Sequence, residues 1–109
     1  MKNHVLIAAL LCLVPAIPLS AAEASANWDE QCAKCHGADG KGQTKMGKKL
    51  KIRDYTDAAV QAAFTDEEAL QALTEGVKDK GGKQLMKAVE GLSEDELKAL
   101  VQHVRSLKA

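Results

Sequence analysis

The chain has 109 residues, enough for one small domain. Its 15 basic and 15 acidic residues balance, which argues against a nucleic-acid partner, and 3% aromatic residues leave little bulk for a core. Domains this small usually recruit a metal, a disulfide or a cofactor to complete themselves.

In chain order, the first stretch reads as a secretory signal peptide. Met1 to His4 carries Lys2, Val5 to Leu19 is almost wholly apolar, and Ser20-Ala21-Ala22 supplies small residues for cleavage. The apolar run is too short for a membrane span and is interrupted by Pro15 and Pro18. Cleavage is expected after Ala22, with the alternative after Ala26 in Ala24-Ser25-Ala26. That makes 1–22 a leader and 23–109 a single domain. Cys12 leaves with the leader, and Leu11 before it is not the small residue of a lipid attachment site. The expected compartment is the periplasm, without stable membrane insertion, and bare thiols tend to oxidise there.

Asn27 with Glu30 three residues on forms a capping-box pattern, so a helix is expected to open at Asn27. Trp28 and Cys32 share one face at i, i+4 spacing, and Trp28 is expected in the core. The helix runs into Cys32-Ala33-Lys34-Cys35-His36-Gly37, the spacing of haem c attachment. Two thiols three positions apart lie about one helical turn from each other, so both can reach one porphyrin as thioethers. His36 then falls beside the iron. A redox dithiol would want a strand–helix–strand pattern nearby. A closed zinc site would want four ligands, and only the distant His103 is left over.

Ala38 to Leu50 reads as a glycine- and lysine-rich loop passing beneath His36. One of its carbonyls is expected to accept the second imidazole N–H. Thr56 is expected to cap a short helix over Asp57 to Ala63. Thr65-Asp66-Glu67-Glu68 is a capping box opening a helix with Ala69, Leu70 and Leu73 inward and Gly76 as its stop. A polar loop, Lys78 to Lys83, then leads to Met86. Ser93-Glu94-Asp95-Glu96 is a further capping box, with Leu92 and Leu97 as a hydrophobic staple. The last helix carries Leu97, Leu100, Val101, Val104 and Leu107 in one stripe, with Lys98, Gln102 and Arg105 on the opposite face. No strand pattern is visible, so the expected architecture is all-α with three to four short helices.

These pieces make the sequence resemble the small class I (monohaem) bacterial cytochromes c. The resemblance rests on Cys32 to Gly37, on Ala38-Asp39-Gly40-Lys41-Gly42, on the late Met86, and on the ending from Leu92 to Leu107. It implies one covalent haem c, N- and C-terminal helices packed together, and a non-enzymatic shuttle of single electrons. Two departures stand out. Lys87 follows Met86 where the family often has proline, and Met46-Gly47-Lys48-Lys49 replaces a proline-bearing loop under the histidine.

With His36 on one face of the iron, the sixth ligand is open to Met46, Met86, His103 or water. Met46 follows His36 closely, in the loop expected on the histidine side. His103 lies near the border of the last helix's stripe. Met86 comes late enough to reach the far face, and a thioether raises the potential. It is the preferred ligand, with His36 the other. The rival readings are a haem docking subunit of a larger complex and a small haem enzyme or gas-binding protein with an open sixth position. Lys34, Lys41, Lys45, Lys48, Lys49, Lys51 and Arg53 face one acid, Asp39, in their segment; Lys78, Lys80, Lys83 and Lys87 flank Met86. The expected partners are redox proteins with an acidic docking surface, met by a monomer.

Overall fold

The computed structural model describes residues 21–109. Met1 to Ser20, which hold the apolar core of the expected leader, lie outside the described residues. Helix α1 (Ala21–Gln31) begins upstream of the expected cap. Alanine has the best helix propensity, and the run Ala21-Ala22-Glu23-Ala24-Ser25-Ala26 carries the helix straight through Asn27. The Asn27 amide reaches across instead, with Nδ2 donating to Glu96 Oε2 at 3.4 Å. Both expected cleavage positions, Ala22 and Ala26, lie on this helix.

The chain breaks at Cys32 and resumes as α2 (Ala33–His36). Part of the expected loop is helical: α3 (Lys45–Leu50) starts at Thr44, whose hydroxyl accepts from Gly47 N at 2.8 Å. In α4 (Ala58–Ala62) the cap is Asp57, which accepts from Ala59 N at 2.8 Å. Thr56 is diverted from the expected capping role because its hydroxyl donates to Asp54 Oδ1 at 2.6 Å. Helix α5 (Asp66–Glu75) has both arms of the Thr65–Glu68 box and stops at Gly76. Helix α6 (Glu94–Ser106) has both arms of the Ser93–Glu96 box.

Between α5 and α6 the chain makes a two-stranded antiparallel hairpin that the sequence did not announce. Strand β1 (Val77–Lys78) pairs with β2 (Gln84–Met86), Val77 opposite Met86 and Lys78 opposite Gln84, with an irregularity between the pairs. Asp79 organises the tip, its Oδ1 accepting from Gly81 N and Lys83 N at 2.9 Å each. Met86 therefore sits on a strand rather than on an open loop.

The core lies where α1 crosses α6, and α5 packs on α6 beside it. Trp28, Cys32, Leu97 and Leu100 form one buried cluster, and Tyr55, Leu70, Leu73, Leu92, Val104 and Leu107 pack against it. Burying each large side chain there stabilises the fold by about 1.5–3 kcal/mol. Leu92 and Leu97 sit together as the expected staple, and the apolar stripe of α6 faces inward.

Arg105 departs from its expected place on a solvated face. Its Nη1 donates to the Gln61 carbonyl and to Gln61 Oε1, Nη2 donates to Phe64 O at 2.8 Å, and Nε meets Asp66 Oδ1 at 2.8 Å. The guanidinium lies 4.3 Å from the centre of the Phe64 ring. Gln61, itself buried, donates from Nε2 to Tyr55 O at 2.7 Å and Val104 O at 2.8 Å. The reason is geometric: the end of α4 leaves carbonyls without helical partners, and the planar fork of arginine matches them.

Candidate functional site

The site is built outward from Cys32-Ala33-Lys34-Cys35-His36. Cys32 N donates to Trp28 O at 2.8 Å, which ties the motif to α1, and the one-turn helix α2 carries Cys35 and His36 onward. Both cysteines are free thiols, Cys32 buried and Cys35 half-buried. Burial, helped by the neighbouring Cys35, pushes the Cys32 thiol up to about 11, so it rests as neutral S–H.

His36 is packed between aromatic rings. Its centroid lies 5.4 Å from Trp28 and 5.5 Å from Tyr55, the latter stacked at 27°. Trp28 is pinned in turn, with Nε1 donating to Gly37 O at 3.0 Å. Burial lowers the His36 pKa below its ordinary 6.5, leaving a neutral imidazole with a lone pair to give. Nδ1 of that ring is buried without a hydrogen-bond partner.

No carbonyl of the following loop accepts from His36 Nδ1, contrary to expectation. The loop spends its polar groups on the motif's backbone instead. Gly42 N donates to His36 O at 2.7 Å, and Thr44 Oγ1 donates to Cys35 O at 2.6 Å while capping α3. A Cβ at Gly47 would stand 2.8 Å from Cys35 O, so only glycine lets α3 come this close to the motif. Thr44 is the residue that sequence reasoning overlooked here. A threonine at the start of a short run of helix formers was the available signal.

The motif opens onto a cleft of about 920 Å³, toward the upper end of the roughly 300–1,000 Å³ common for cofactor sites. Cys32, Cys35, His36, Met46 and Met86 all stand in its wall. A smaller cavity of about 240 Å³ adjoins it, lined by Trp28, Phe64, Leu73 and Val104 and again by His36 and Met86. The structure thus brings Met86 to the cleft from β2 and Met46 from α3. His103 lines neither cavity, and its ring packs 5.2 Å from that of Trp28. Tyr55, which carried no site signal in the sequence, and Arg53, expected there only as part of the basic docking surface, line both cavities.

Residues 21–108 match the cytochrome c family. The chain belongs to that family. Solved structures agree. One is the KustC0563 c-type cytochrome, 33% identical, with a TM-score of 0.69 over 79% of this chain and 98% of that one. Another, a mutant of the same protein, is 34% identical with a TM-score of 0.66 over 78% and 98%. No curated protein matches the chain significantly.

Cytochromes c bind haem c covalently and carry electrons, and this is the cofactor and the broad role of the chain. The residues present fit that group. The cleft is large and mainly apolar, two free thiols stand at its wall, and a neutral imidazole beside them holds an orphaned buried nitrogen. Among the described residues no cluster of three or more His, Cys, Asp and Glu side chains is arranged to hold a metal ion. The iron comes with its porphyrin.

Proposed function

We propose that this cytochrome c is an exported, periplasmic one-electron shuttle with His36 and Met86 as the two axial ligands. The observation that carries the reading is the convergence of Cys32, Cys35, His36 and Met86 on the wall of one cleft from separate elements, α2 and β2 among them. Cys32 and Cys35 would each add S–H across a vinyl group, sulfur and hydrogen both passing to carbon, so attachment consumes no oxidant. His36 supplies one ligand from the motif side. Met86 supplies a thioether, which favours ferrous iron and raises the potential. Bound haem c supplies a one-electron couple. Two protein ligands leave no place for substrate at the metal, which favours a carrier over an enzyme.

Transfer partners are proposed to be acidic redox proteins. Lys51, Arg53 and Lys87 stand in the cleft wall, and Lys78, Lys80 and Lys83 are exposed on the adjoining hairpin. Glu90 is the acid among the cleft-lining residues. Val77 and Leu85, 36% and 37% exposed, add apolar surface between these charges.

Met46 shares the cleft wall and is the alternative ligand on that observation. The deciding experiment is mass spectrometry and spectroscopy of the exported protein. The expected mass is polypeptide plus one haem that resists acid-acetone extraction. Met86→Ala should abolish the near-infrared thioether–ferric band, and Met46→Ala should leave it. Haem that extracts freely overturns the covalent reading. Loss of the band in Met46→Ala alone shows the other methionine to be the ligand.

A further inference from the structure

The strand that carries Met86 is fastened to the end of α5 at two points. Val89 N donates to Leu73 O at 2.8 Å, a main-chain bond that anchors the chain just after Met86. The second point is Gly76, which closes α5 and leads directly into the strand opposite Met86. Gly76 has φ +77°, and a Cβ there would lie 2.6 Å from Met86 O and 2.9 Å from Ala88 N. Both are backbone atoms, so no side-chain rotation relieves the collision. The peptide after Met86 can seat against the helix end only because position 76 has no side chain.

We propose that Gly76 is a positioning residue for the sixth ligand. Its bare Cα sets how closely β2 approaches α5, and with it how far the Met86 side chain extends into the cleft. The inference rests on Met86 being the ligand and goes beyond it by naming what holds that ligand in place. A plain helix-stop role for Gly76 predicts a loss of stability and nothing at the iron. The positioning role predicts a change at the iron itself.

Two other glycines at positive φ separate these readings. Gly82 and Gly91 have φ +83° and +81°, and a Cβ at either meets nothing within 4 Å. Gly76→Ala, Gly82→Ala and Gly91→Ala all place an L side chain at positive φ, and only the first adds a collision. The holoprotein of each is compared with Met86→Ala. In Gly76→Ala the thioether–ferric band should fall by at least half, the ferrous form should bind carbon monoxide, and the midpoint potential should drop. Gly82→Ala and Gly91→Ala should keep the full band and exclude carbon monoxide. Should Gly76→Ala not accumulate, Gly76→Asn carries the test, because asparagine tolerates positive φ and still presents the Cβ. A full band in the Gly76 variant beside a lost band in Met86→Ala overturns the positioning role and leaves the ligand reading standing. Equal loss in all three glycine variants also overturns it, since strain alone would then be the cause. A band that survives Met86→Ala removes the ligand reading and this inference with it.

Discussion

Replacing Arg105 with methionine tests whether one charged side chain joins α6 to the corner between α4 and α5. The substitution keeps an unbranched apolar stem and removes the fork. Two carbonyls, Gln61 O and Phe64 O, lose a charged donor, at about 1–1.5 kcal/mol each for a partly exposed site. The cation over Phe64 at 4.3 Å contributes about 0.5–1 kcal/mol more. The contact to the half-exposed Asp66 is left out of the sum because solvent screens it. The expected loss is about 3 kcal/mol, which in a domain this size lowers Tm by about 12–24 °C. Urea and thermal unfolding of the holoprotein measure it. Arg105→Lys should recover only part of the loss, since an ammonium cannot serve several carbonyls at once. A loss under about 0.5 kcal/mol is what an ordinary surface position gives, and it would refute the reasoning.

Two further outcomes are expected. The hydrogen bond from Arg105, followed by one from Gln102, holds the Asp66 carboxyl below its usual range. A depressed carboxylate stabilises above the unfolded pKa of about 3.9 and loses that contribution as pH falls through the lower folded value. Wild type and Asp66→Asn should therefore differ in urea midpoint at pH 7 and converge as pH falls through the lowered folded value, and a pH-independent gap would contradict the assignment. Oxidation by ferricyanide, a trivalent anion, should slow steeply as ionic strength rises, because steering worth about 10- to 1,000-fold fades as the Debye length falls from about 10 Å to 3 Å. Lys83→Glu with Lys87→Glu should flatten that dependence, and a rate that climbs with salt in wild type would remove the electrostatic part of the docking proposal.

What was legible in the sequence is what local chemistry decides. Thr65, Glu68, Ser93 and Glu96 act within one helical turn, and both boxes stand where their spacing puts them. The stripe from Leu97 to Leu107 and the burial of Trp28 follow from periodicity alone. Misplacements arose where a local signal met a stronger competitor. The Asn27 pattern lost to the alanine run before it, and the cap of α4 fell to Asp57 while the Thr56 hydroxyl bonded Asp54. The hairpin was invisible because strands of two and three residues carry no alternation, and their pairing is a tertiary choice. Arg105 was misread for the same reason: its partners Gln61 and Phe64 lie more than 40 residues away, and periodicity on α6 does not see them. The spacing of Cys32, Cys35 and His36 was visible in the sequence, whereas the interplay of Thr44 and Gly47 with the motif's backbone needed coordinates.

The crossing of α1 and α6 has a consequence for the order in which the molecule is made. Its partners are the first and last helices of the described chain, so the loop they close contains nearly everything else. Chains are synthesised from the N-terminus, and Cys32 to His36 therefore emerges long before Leu97 and Leu100. Until α6 arrives, Trp28 and Cys32 lack the cover of Leu97 and Leu100. Closing the loop costs only a logarithm of its length, so delay adds little penalty once the last helix is present. The topology sets a sequence of events in which Cys32 is uncovered first, and the C-terminal helix packs over it afterwards while Cys35 stays at the cleft wall.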